Sequence, residues 1–131
     1  MSFIQHIRKY VAFFIFFVAA SCAVSMAHEV KVGPNGGPVS DLGDFHLELV
    51  MKPEMIRLFV TDAAGNPVNV AKGSANLIIL AGNNKYSTKL IPAGESVLGG
   101  AFVVPDPAPY TVVSVVILEG KKPLQARFVV N

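Results

Sequence analysis

The sequence predicts an all-β fold: a small immunoglobulin-like β-sandwich of about seven strands, following an N-terminal signal peptide. Three observations carry that expectation. Apolar and polar residues alternate in short runs from residue 44 to the end, and turn-forming Gly, Pro and Asn residues separate the runs. No stretch of this region carries the i, i+3, i+4 apolar stripe of an amphipathic helix.

The first 27 residues read as a secretory signal. His6, Arg8 and Lys9 supply a basic start, Val11 to Ala20 is unbroken apolar sequence, and Ser25-Met26-Ala27 places small residues before a cut at His28. Two alternatives stand beside it. The segment is at the short limit for a retained anchor, and Cys22 after Ala19-Ala20-Ser21 partly resembles a lipoprotein box. Membrane attachment is expected only if Cys22 is lipidated or the segment stays uncleaved.

Residues 28–43 read as an irregular lead-in, because Gly33-Pro34-Asn35-Gly36-Gly37-Pro38 cannot propagate a helix. The sandwich domain is expected over 44–131. Phe45, Leu47, Leu49 and Met51 alternate with His46, Glu48 and Val50 in a half-buried strand. Lys52-Pro53-Glu54 turns the chain into Met55 to Thr61, and Asp62 to Pro67 forms the next turn. Ala75 to Ala81 is short and nearly continuously apolar. Gly82-Asn83-Asn84 marks a hairpin into Lys85 to Ile91, and Val97 to Val104 follows. Beyond the Pro105 to Pro109 block, Tyr110 to Leu118 and Leu124 to Val130 flank a turn at Glu119 to Lys122.

Composition narrows the function classes. Removing 27 of the 131 residues leaves 104, and Arg8 and Lys9 depart with the signal, so nine basic residues face nine acidic ones. A neutral surface gives no nucleic-acid partner. The one cysteine, Cys22, lies in the signal, which excludes disulfides and thiolate metal sites from the domain. Nucleophilic catalysis lacks a Gly-x-Ser-x-Gly elbow. Ser40, His46 and Asp44 could be assembled into a triad only on paper, and no enzyme is expected.

The histidines point elsewhere. His46 and Glu48 stand two apart on one strand and project from the same face, opposite Phe45, Leu47 and Leu49. A cut after Ala27 makes His28 the N-terminal residue, whose α-amine and Nδ1 form one chelate suited to Cu(II) or a similar cation. The candidate metal ligands are therefore His28, His46, Glu48 and Asp44, with Glu29 in reach, and the candidate ion is copper or zinc. Glu48 has a competing structural reading as the cross-strand ion partner of Arg57. Met51 falls in register with the buried face and reads as core packing rather than as a thioether ligand.

Gly33-Pro34-Asn35-Gly36-Gly37, Gly43-Asp44-Phe45 with Glu48, Glu54 with Arg57, and Gly65-Asn66-Pro67-Val68 form an ordered set over residues 33–70. That set resembles the small β-domain near the N-terminus of periplasmic adaptor subunits of heavy-metal efflux pumps of the RND type, and related stand-alone exported proteins. The resemblance implies a periplasmic setting, a link to copper, cobalt or zinc, and an envelope efflux or metal-resistance protein as partner. It implies no transport, since the adaptor's other domains are missing. The stand-alone relatives carry several histidines before the Gly-Pro motif, where this chain has His28 alone. The rival expectation is a protein-interaction sandwich with no metal of its own, meeting its partner through an edge strand or the Pro105 to Pro109 loop with Tyr110.

Overall fold

The alternation predicted from residue 44 onward is carried through seven of eight antiparallel strands in the computed structural model, which describes residues 31–131. The signal segment and His28 lie outside the described residues. The strands are β1 (Val39–Asp41), β2 (Phe45–Met51), β3 (Met55–Asp62), β4 (Ser74–Ala81), β5 (Asn84–Gly94), β6 (Val97–Ala101), β7 (Tyr110–Ile117) and β8 (Leu124–Val130). There is no helix among the described residues, and hence none there long and apolar enough to cross a membrane.

The strands form one sheet in the order β1-β2-β3-β6-β5-β4-β7-β8. It curls until β8 lies against β1 and β2, so two leaves face each other across one core. The long β5 joins them. Its first half pairs with β4, from Asn84 opposite Ala81 to Leu90 opposite Ala75, and its last residues pair with β6 across an irregularity between Pro92 and Gly94.

Side chains from both leaves meet inside. Leu47 and Leu49 of β2, Ile56, Leu58 and Val60 of β3 and Leu98 of β6 pack against Leu77 and Ile79 of β4, Leu90 of β5, Val112 and Val116 of β7 and Phe128 of β8. Each is 2% exposed or less, and a fully buried aliphatic side chain of this size stabilises the fold by roughly 2 kcal/mol. Met51 also packs against this core, as its register predicts, whereas Met55 is exposed.

Two departures from expectation concern the lead-in. It contributes an eighth strand, β1, too short to display a period-two pattern, which pairs with β2 so that Val39 faces Glu48 and Asp41 faces His46. Ahead of it, Val32 bridges to Pro38, and a backbone bond from Gly33 N–H to the Gly37 carbonyl (2.8 Å) closes a tight loop.

Ser114 places a polar group deep in the core. Ser114 sits between Leu77 and Ala126, fully buried, and its Oγ has no hydrogen-bond partner. Ser114→Ala removes an unsatisfied hydroxyl at the cost of one small atom. It is expected to raise stability by up to about 1 kcal/mol, read as a higher denaturant midpoint at unchanged slope.

Candidate functional site

The lead-in loop and the outward residues of β1, β2 and β3 enclose the candidate site. Outward positions on these strands are Val39 and Asp41, then His46, Glu48 and Val50, then Arg57, Phe59 and Thr61. A cleft of about 260 Å³ opens here, lined by Asn35, Val39, His46, Glu48, Phe59 and Thr61 among others.

Glu48 departs from its expected setting. It leaves the sheet on the face away from the core, as alternation requires, but it is 5% exposed because the Gly33–Pro38 loop lies over it. Its carboxylate accepts the Asn35 backbone N–H at Oε2 (2.9 Å), the Asn35 side-chain amide at Oε1 (2.9 Å) and the Gly37 N–H at Oε2 (2.9 Å). The loop donors thus occupy both oxygens. The expected ion pair with Arg57 is absent, for the register sets Glu48 opposite Phe59 and Arg57 opposite Val50. Arg57 Nε instead lies 3.2 Å from Met55 Sδ.

The same contacts account for the glycines. A Cβ on Gly33 would lie 2.4 Å from the Glu48 carboxyl carbon, and one on Gly37 would lie 2.0 Å from the Leu49 carbonyl oxygen. Gly36 has open space around it but turns at φ +85°, where a side chain is strained. Gly33-Pro34-Asn35-Gly36-Gly37 is thereby a wrap around one internal carboxylate.

His46 is half-buried in the cleft wall, with Nε2 3.4 Å from Asp41 Oδ1. The same Asp41 oxygen accepts the Gly43 N–H at 2.9 Å. That bond first, then the charges of His46 and Lys31, hold the Asp41 carboxyl below its ordinary pKa against the opposing effect of desolvation. Asp41 is therefore anionic at neutral pH. Asp44, the expected helper, is exposed at the tip of the β1–β2 hairpin, and the structure pairs His46 with Asp41 instead. Sequence reasoning misses Asp41, and the signal that could reveal it is the turn at Gly43: Leu42 N–H bonds the Phe45 carbonyl, Gly43 adopts φ +84°, and a hairpin centred there sets residue 41 against 46.

Ser40 faces Leu47 across the ladder, on the opposite side of the sheet from His46. A Ser40–His46–Asp44 triad is thereby ruled out geometrically.

The pair His46–Asp41 suits a metal in one respect. Two neighbouring ligands of a tetrahedral ion, each about 2.0–2.1 Å from it, stand about 3.3 Å apart, close to the observed 3.4 Å. Among the described residues, however, no group of three or more His, Cys, Asp or Glu is gathered to hold an ion. Asp44 and Glu48 do not complete the set, one being at the turn tip and the other saturated by the loop. His28 lies outside the described residues.

No protein-family model, curated protein or solved structure matches the chain.

Proposed function

We propose that this chain is an exported, non-catalytic module of heavy-metal handling in the periplasm, and that His46 and Asp41 are its metal contact on the sandwich. The observation that carries the reading is the ligand-like separation of His46 Nε2 and Asp41 Oδ1, 3.4 Å, at the wall of an open cleft. An imidazole beside a carboxylate is a donor pair suited to zinc or copper.

The remaining ligands are proposed to come from the N-terminal side. Lys31 runs beside β1, its carbonyl accepting the Val39 N–H at 2.9 Å. His28 is three residues further back, so covalent geometry keeps its Cα within about 11 Å of that of Lys31. After cleavage before His28, its α-amine and Nδ1 would add a chelate to the two fixed donors. Glu48 drops out of the proposed ligand set, because its oxygens hold the loop.

Calorimetric titration of the exported protein with Cu(II) and Zn(II) tests this, with mass spectrometry giving its N-terminus. Saturable binding of one ion tighter than about 10 µM is expected, weakened about tenfold or more by His46→Ala and by Asp41→Asn. Binding that is absent, or indifferent to both substitutions, overturns the reading.

A further inference from the structure

The two leaves of the sandwich are finished differently on the outside. Over β1, β2 and β3 the chain lays its own Gly33–Pro38 loop. The opposite outer surface, formed by β5, β4, β7 and β8, has no such cover among the described residues.

That surface is unusually apolar for an outward face. The ladder sets Ile78 beside Val113, Leu80 beside Thr111 and Asn76 beside Val115, with Val129 next to Thr111 on β8. Ile78, Leu80 and Val129 are between 37% and 44% exposed. All three are accessible to a partner. Around this centre stand Lys85 and Lys89 on β5 and Arg127 on β8, all outward. No Asp or Glu occupies an outward position of these four strands.

We propose that this face docks a partner protein whose matching surface is aliphatic at its centre and carries carboxylates at its margin. Charge complementarity chooses the occupant. Unbalanced cations around an apolar centre attract an acidic rim and repel a second copy presenting the same face. A lipid surface fits less well, for no Trp, Tyr or Phe stands on these outward positions to seat at headgroup level. The face lies on the leaf opposite the His46 cleft, so docking and metal contact are separable.

Photo-crosslinking in the native cell envelope tests the proposal. The full chain carries p-benzoylphenylalanine at Ile78 or Val113, with Glu54 in the β2–β3 turn as the remote control position. Both face positions are expected to yield the same protein adduct and Glu54 none. The sequenced cross-linked peptide is expected to carry Asp or Glu beside aliphatic residues. Changing Lys85, Lys89 and Arg127 together to Glu is expected to lower the adduct about fivefold or more. The milder Lys85→Gln, Lys89→Gln, Arg127→Gln variant serves if the reversal does not fold. Four results overturn the proposal: no adduct, an adduct insensitive to the charge changes, an adduct of twice the chain's mass, or sedimentation with phosphatidylglycerol vesicles in place of a protein adduct. His46→Ala is expected to leave the adduct intact, which separates failure here from failure of the metal reading.

Discussion

Glu48→Ala is expected to lower stability by about 3 kcal/mol, because hydrogen bonds to an ionised acceptor are worth more than neutral ones and three are lost together. The Gly37 N–H is buried where the carboxylate now meets it, so its loss strands a donor unless the loop lifts into water. The second outcome removes the cover from the outer face of β2. Guanidinium unfolding reads the effect as a lower midpoint with little change in slope. Glu48→Gln keeps the shape but turns an amide N–H₂ toward one set of donors, and is expected to recover only part of the loss. A cost below about 1 kcal/mol for Glu48→Ala would mean that the carboxylate does not hold the loop.

Gly37→Ala is expected to be at least as damaging, at about 3 kcal/mol or more, through crowding rather than a lost acceptor. The added methyl would fall 2.0 Å from the Leu49 carbonyl oxygen and 3.0 Å from Val50 Cγ2. Backbone cannot step aside as a flexible side chain can, so the loop must retreat, and the bonds from Gly37 N–H to Glu48 and from Gly33 N–H to the Gly37 carbonyl go with it. For a domain near 100 residues this corresponds to a melting temperature lower by about 15 °C. Gly36→Ala, strained by φ but free of collision, is expected to cost only about 1 kcal/mol. The Glu48→Ala, Gly37→Ala double variant should lose less than the sum of the two, since both release one loop. Strict additivity would show that the two residues act separately.

Period-two burial made most of the fold legible. The seven expected strands correspond to β2 through β8, and the core side of β2 and β3 follows the alternation residue by residue. It was less informative at Ala75 to Ala81. There the nearly continuous apolar run does not separate the inner face from the outer one, and Ile78 and Leu80 are exposed. Hydropathy records what a side chain is, not whether anything covers it. The same limit hid the setting of Glu48, whose cover arrives from eleven to fifteen residues upstream and leaves no periodic trace. At the site, His46 was found through its place in the strand. Alternation does not distinguish Asp41 from Asp44, because β1 has only three residues and the hairpin through Gly43 is what sets residue 41 against His46.

The extended β5 gives the molecule a spine. Between it and the opposite ends of the sheet, β1 and β8 approach each other without a shared ladder. A closed barrel would resist opening equally around its circumference. This molecule instead resembles a book, strongest along the binding and weakest at the fore-edge, where thermal fluctuation parts the covers first. Amide protons of β4, paired on one side with β5 and on the other with β7, should be among the last to exchange with solvent, and those on the free side of β8 among the first.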